Sequence, residues 1–177
     1  MKRKSNIMSL VTAAMIAALY VVLSFVSNMF GLASGAIQVR ISEALTILPV
    51  YTPLGVWGVT LGCLITNAYG VSVGANTLGA ADIVIGTAAT LAAALMSRWL
   101  RNFRIKGMPI AATVPPVLVN AVVIGAELTF AETGKIFSPL LWINMFQGGQ
   151  GQLIACTVGG LIVAAAIERC GLDKTLF

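Results

Sequence analysis

The chain of 177 residues contains no histidine and only six acidic residues, and charged residues of either sign make up 10% of it. A missing imidazole removes the commonest proton shuttle and metal ligand. Without clustered thiols, a structural or catalytic transition-metal site then has no ligand set to draw on. Cysteine is almost as scarce: Cys63, Cys156 and Cys170 stand singly within or beside apolar runs, which predicts small packing residues rather than a disulfide framework. A P-loop is also absent. Gly134-Lys135 lacks a glycine five positions upstream and a following Ser or Thr, so nucleotide hydrolysis of that kind cannot reside in this chain.

What the sequence does have is apolar mass, with 58% hydrophobic residues and a mean hydropathy of +0.94. This composition predicts an all-α integral membrane protein. At about 20 residues per crossing, roughly six spans occupy the chain as one transmembrane domain over residues 1–177, leaving no room for a soluble domain. The apolar stretches cover 7–30, 41–69, 79–97, 109–131 and 139–167. The first follows Met1-Lys-Arg-Lys4 in the manner of a signal peptide, but its length and the spans behind it predict a retained helix.

Basic residues cluster at Lys2-Arg3-Lys4, at Arg98, Arg101, Arg104 and Lys106, and at Arg169 and Lys174. Such clusters in short loops mark the cytoplasmic side, which also accounts for the net charge of +5 without any role in nucleic-acid binding. Both termini and the 98–106 loop are therefore expected inside. Parity then requires an even number of crossings between Lys4 and Arg98, so one of the three intervening stretches must cross twice. The 41–69 stretch is the candidate, because Pro49, Pro53 and Gly55 interrupt it where a helix cannot easily continue. Helices over about 41–51 and 54–69 result, giving six in all, with 31–38 and 70–77 as external loops.

This orientation gathers the intramembrane polar groups in the outer half. Arg40 and Glu43 open the second helix, Asp82 opens the fourth, and Glu127 lies near the outer end of the fifth; with Glu132, four of the six acidic residues are external. An ionised group at membrane depth costs at least about 2.5 kcal/mol, so it normally faces the protein interior or a ligand pathway. Asn120 and Glu127, seven apart, share a helix face. Asn144, Gln147 and Gln150 form a drifting polar stripe, and Gln147-Gly-Gly-Gln-Gly-Gln152 offers a wall for a planar ligand. Each feature also has a structural reading: an Arg40–Glu43 ion pair, a helix cap at Asp82, and close helix packing at the glycines and amides. The small residues Ala13, Ala14, Ala17 and Ala18 on the first helix suit either a docking face or internal packing. No inverted repeat is evident, which favours a binding protein that borrows its energy over a self-contained carrier.

The segment Gln38-Val-Arg40-Ile-Ser-Glu43-Ala-Leu-Thr-Ile-Leu-Pro49, the later Pro115-Pro-Val-Leu-Val-Asn120-Ala with Glu127, and the Ala-x-x-x-Ala first helix closely resemble the QueT family of substrate-binding S components of energy-coupling factor (ECF) transporters. The resemblance covers nearly the whole chain, and Arg40-Ile-Ser-Glu43-Ala is its most specific part. It implies a six-helix S-component bundle in the cell membrane and a solute site near the extracellular surface. It further implies partnership with a transmembrane scaffold subunit, docking on Ala13, Ala14, Ala17 and Ala18, and with two cytoplasmic ATPases that hydrolyse ATP, so the chain itself needs no cofactor and is not an enzyme. The implied solute is queuosine or a 7-deazaguanine precursor. Such a ring presents adjacent N1–H and NH2 donors that one carboxylate, Glu43 or Glu127, could accept bidentately. Its O6 suits an amide or guanidinium, from Asn120, Asn144, Gln147, Gln150 or Arg40. Asp82 could meet the cationic aminomethyl arm of some precursors, and Trp142, Phe146 or Tyr69 could stack on the ring. Competing functions are the same architecture for another vitamin or purine-like solute, a membrane enzyme using Asp82, Glu43 and Glu127 as acid and base, and a channel or structural protein whose glycine faces only pack.

Overall fold

The computed structural model describes residues 2–32, 37–76 and 78–172, with side chains from residue 7 onward. The side chains of Lys2, Arg3 and Lys4, Lys174, and parts of both expected external loops (33–36 and 77) lie outside the described residues. The described backbone forms helices α1 (Lys2–Met29), α2 (Ile41–Tyr51), α3 (Pro53–Ser72), α4 (Ala81–Trp99), α5 (Val114–Thr133) and α6 (Leu140–Arg169). By length and composition, five are apolar enough to cross a bilayer; α2 is the shorter exception. Outward-facing Leu10, Val22, Leu118, Val122 and Ile162 provide the surface that lipid would solvate.

The proline break falls where the sequence places it. Thr52 is held extended at φ −144°, ψ 140°, as expected of a residue preceding proline. Its hydroxyl then accepts from the Leu54 amide at 3.3 Å, capping α3 with Pro53 at its first position. The reversal sends α3 back along α1, and from there α3 packs on α4, α4 on α5, and α5 on α6.

α2 runs up the middle of this arrangement, touching α1, α3, α4 and α6. Its first seven residues, Ile41–Ile47, are 3-10 helix, longer than the three or four residues such helices usually reach. At about 2.0 Å rise per 3-10 residue and 1.5 Å per α residue, α2 covers only about 20 Å. The extended stretch that leads into it, Gln38–Arg40, brings the path closer to the thickness of a hydrocarbon core of about 30 Å. Non-helical backbone at such depth must be buried in protein, and here it is. The Val39 amide donates to the Leu32 carbonyl at 2.8 Å, and the Ile41 amide donates to Ser27 Oγ at 2.8 Å. Gly151 of α6 lies so close under the Gln38 carbonyl that no Cβ could fit between them.

α2 also links the two apolar clusters. Leu45 joins Tyr20, Val56, Val59, Cys63 and Ala94, whereas Ile47, Val50 and Tyr51 join Ala112, Ala164 and Ile167. α6 meets it through a π-helical stretch, Leu153–Gly159, where Gly159 faces Ala44. At the end of the bundle that carries the 98–106 loop, Arg98 Nη1 donates to the Pro49 carbonyl at 3.0 Å. Glu168 there accepts from Arg104 Nη1 at 2.6 Å and from the Tyr51 hydroxyl at 2.7 Å.

The alanine stripe of α1 is divided. Ala13 and Ala17 are buried, on the face that meets Gly58 and Gly62 of α3, while Ala14 and Ala18 are exposed. As a single external docking face, the four-alanine expectation therefore needs correction: helix geometry turns residues 13 and 17 inward together and leaves 14 and 18 outward. A Cβ at Gly62 would lie 2.6 Å from Tyr20 Cβ. Gly62→Val is accordingly expected to lower stability by about 1–3 kcal/mol through overpacking. Gly148→Ala, whose Cβ would meet Ile124 at an ordinary 3.7 Å, should be near neutral; thermal unfolding of both variants in detergent checks the contrast.

Candidate functional site

A cavity of about 160 Å3 opens at the end of the bundle opposite the Arg98–Lys106 loop, between α1, α3, α4, α5 and the lead-in to α2. Its walls are unusually polar for a protein of this composition. Arg40, Glu43, Asp82, Asn120 and Glu127 all line it, as do Tyr69, Asn67, Thr66 and Gln152. Five residues singled out in the sequence from three separate segments are thus brought into one space.

Glu43 forms the polar floor. The 3-10 geometry of α2 places every third residue on one face, so Glu43 and Thr46 align, and the Thr46 hydroxyl donates to the Glu43 carbonyl at 2.6 Å. The carboxylate itself is 3% exposed. Tyr20 donates its hydroxyl to Oε1 at 2.5 Å, and Asn120 Nδ2 donates to Oε2 at 3.4 Å. Asn120 also donates to Gln152 Oε1 at 3.2 Å, and Cys156 Sγ donates to the same oxygen. A chain of side-chain bonds therefore runs from α1 through α2 and α5 to α6, fixing the carboxylate from two sides. Each carboxylate oxygen can accept two bonds, so Glu43 retains acceptor capacity toward the cavity.

Arg40 does not neutralise it by direct pairing. The ion pair found among the described residues is Arg104–Glu168, at the other end. Arg40 and Glu43 come no closer than the 4 Å of a salt bridge, and the structural ion pair expected as one reading of these residues is not formed. The N-cap position explains this: Arg40 is extended (φ −96°, ψ 109°) while Glu43 is helical, so the regular three-residue spacing does not hold across them.

The upper wall holds idle acceptors. Asp82 is buried; its Oδ2 accepts from the Leu78 amide at 3.2 Å, but Oδ1 has no hydrogen-bond partner. The N-cap of α4 is Ala80, without a side-chain cap bond, so the capping reading of Asp82 is not met: its carboxyl ties down the Leu78 amide ahead of the helix and leaves an oxygen free. Glu127 Oε1 and Thr66 Oγ1 are likewise buried without partners. Asn67, 5% exposed, ties the wall together by donating to the Asp82 carbonyl at 3.0 Å. Unsatisfied buried polar atoms are rare, and each calls for an explanation such as an absent ligand. Tyr69, braced edge-on by Phe25 with centroids 4.7 Å apart, offers the aromatic surface of the cavity.

The remaining expected residues lie elsewhere. Asn144 is buried but committed to Thr129 and Glu132, donating at 3.1 Å to each. Gln147 and Gln150 line a separate shallow groove with Ile37, Ile143, Trp142 and Phe146, and Trp142 and Phe146 are exposed. Within the Gln147–Gln152 run, Gln152 is the amide that reaches the cavity and Gly151 is the glycine whose smallness matters. Sequence reasoning passed over Asn67, and named Gln152 only as the end of the Gln147–Gln152 run. Asn67 had a signal, an amide inside an apolar helix four residues after Cys63, but no partner in sequence marked its face.

The QueT transporter family matches residues 10–169 of the chain. The queuosine precursor transporter QueT of Lactococcus lactis subsp. cremoris (strain MG1363) is 37% identical over 65 residues, which is 37% of this chain and 38% of that protein. The alignment thus spans well under half of the relative's length. No solved structure matches. The Tyr20–Glu43 bond generates a prediction independent of these similarities. Tyr20→Phe removes a donor from a buried carboxylate and should cost about 1–3 kcal/mol, read as a lowered unfolding temperature in detergent.

Proposed function

Because the chain belongs to the QueT transporter family, we propose that this multi-pass membrane protein is the solute-binding S component of an ECF importer for a queuosine precursor. The observation that carries this reading is the cavity: one small, polar, partly enclosed chamber in an apolar bundle, with buried acceptors unsatisfied until a ligand arrives. A 7-deazaguanine ring carries the donors such acceptors need. In this reading Glu43, held by Tyr20 and Asn120, accepts the N1–H and NH2 pair, Arg40 meets O6, and Tyr69 covers the ring face. Charge-assisted bonds of this type are about twice as strong as neutral ones, which offsets the desolvation of a small polar solute.

The orientation follows from charge. Arg98, Arg101, Arg104 and Lys106 face the cytoplasm under the positive-inside rule, so the cavity at the opposite end faces outward. α2 with its extended lead-in then counts as a sixth crossing, and both termini lie inside. Energy comes from partners: a transmembrane scaffold subunit and two ATPases that hydrolyse ATP, since this chain lacks a P-loop. Ala14 and Ala18 remain exposed on α1 for the scaffold, while Ala13 and Ala17 hold that helix to α3.

Purified protein is expected to carry or bind a 7-deazaguanine, detected by mass spectrometry of small molecules released on denaturation and by calorimetric titration. Glu43→Gln keeps the shape but turns an acceptor oxygen into a donor group, and should weaken binding by at least about tenfold, a change of about 1.4 kcal/mol. Recovery of a different vitamin would overturn the substrate assignment, and undiminished affinity in Glu43→Gln would remove Glu43 from its role.

A further inference from the structure

We infer that Gln152 and Cys156 of α6 are positioning residues: together they fix which way round the Asn120 amide stands, so that its oxygen rather than its nitrogen is presented to the cavity. This rests on the cavity being a solute site, as proposed above, and concerns how one of its walls is set rather than what it takes.

An asparagine side chain carries two donors on one end and an acceptor on the other in nearly the same shape, so a buried amide can stand in two orientations that offer opposite chemistry. Its neighbours decide which one holds. Asn120 is 6% exposed on α5 and lines the cavity. Its Nδ2 donates to Glu43 Oε2 at 3.4 Å and to Gln152 Oε1 at 3.2 Å, which uses both of its hydrogens. Oδ1 makes no bond among the described residues and is left for the chamber. Turning the amide over would set three acceptor oxygens, its own and those of Glu43 and Gln152, against one another with no donor among them.

Glu43 alone is a weak guarantor of that orientation. Its bond to Asn120 is the longer of the two, and its carboxylate is the group that turns toward a solute in the reading above. Gln152 is independent of it, but Gln152 is itself an amide, and if reversed it would offer Nε2 to Asn120 instead. Cys156 prevents this. Buried one turn further along α6, in the π-helical stretch, it donates from Sγ to the same Gln152 Oε1 at 3.2 Å. With two donors on one oxygen, the Gln152 amide has its polarity set and passes it to Asn120. A thiol is a weak donor, yet in a low-dielectric interior hydrogen bonds strengthen, and an unmatched polar group is costly. Cys156 is not part of the cavity wall, so it acts on a solute only through this relay.

The test compares Cys156→Ser with Cys156→Ala in the full-length protein in lipid nanodiscs. The two replacements are nearly equal in size, so a packing role would make them behave alike; serine keeps a donor and alanine does not. The first readout is the side-chain NH2 resonance of Asn120 in protein carrying isotopically labelled asparagine, assigned by its loss in Asn120→Asp. It should hold its position in Cys156→Ser and shift or broaden in Cys156→Ala and in Gln152→Leu. The second is calorimetric titration with 7-cyano- and 7-aminomethyl-7-deazaguanine, where Cys156→Ser should stay within about twofold of the wild-type affinity and Cys156→Ala should be weaker by about threefold or more. Serine and alanine variants that agree in both readouts would overturn the inference, as would an Asn120 resonance unmoved in Gln152→Leu. Where Cys156→Ala does not fold, judged by loss of a cooperative thermal transition, Gln152→Leu against wild type decides by the first readout. If folded wild-type protein binds neither compound while the resonance still separates serine from alanine, the deazaguanine reading fails and the positioning relay stands.

Discussion

The structure depends on burying a helix that lipid would not accept. α2 is too short to cross a bilayer alone, it carries Ser42, Glu43 and Thr46 within two turns, and an extended stretch of backbone precedes it. In hydrocarbon each of those polar groups would be expensive. The remaining helices solve this by enclosing it, and their small residues make the enclosure possible. Gly58 and Gly62 let α1 close on α3, Gly151 admits the Gln38 carbonyl, and Gly159 admits Ala44. Apolar clusters on either side of α2 then pack around its aliphatic faces. The hydrophobic effect offers little drive for helix association in lipid, so these close approaches and the interhelical hydrogen bonds carry much of the cohesion.

The same burial sets the chemistry of the cavity walls. A carboxylate fixed by a phenol from α1 and an amide from α5 has its acceptor geometry set by the fold itself, which is what preorganisation means for a site. Surrounding acceptors without partners are the complementary feature. Satisfied groups define the shape of the site, and the unsatisfied ones define what it lacks.

Much of this was legible in the sequence because membranes impose strict rules. Runs of apolar residues located the long helices, and the Pro49, Pro53 and Gly55 interruption located the break that frees α2. Arg40, Glu43, Asp82, Asn120 and Glu127 stood out for the reason that they are costly, and they do converge on one cavity. The sequence was less informative where rotation about a helix axis decides the outcome. Gln147, Gln150 and Gln152 lie within six residues of one another, yet only Gln152 faces the cavity; of the stripe drawn from 144 to 150, Gln147 and Gln150 turned toward a shallow outer groove and Asn144 was buried against α5. Arg40 and Glu43 read as an ion pair at helical spacing, but the helix begins between them. Asn67 went unnoticed because its partners, the Asp82 carbonyl and Cys63, lie on surfaces that only packing brings close.

The π-helical stretch in α6 has a consequence for how such a protein can vary. Each wide turn accommodates an extra residue relative to an α turn, so Leu153–Gly159 acts as a phase shifter between the two halves of one helix. Above it, Gln152 is aimed at the cavity; at its lower end and just past it, Gly159 and Gly160 are aimed at α2. The two halves hold their angular settings independently. Substitutions that retune recognition at one end of α6 can then accumulate without rotating the glycine seam at the other, which makes a single helix behave as two separately adjustable modules.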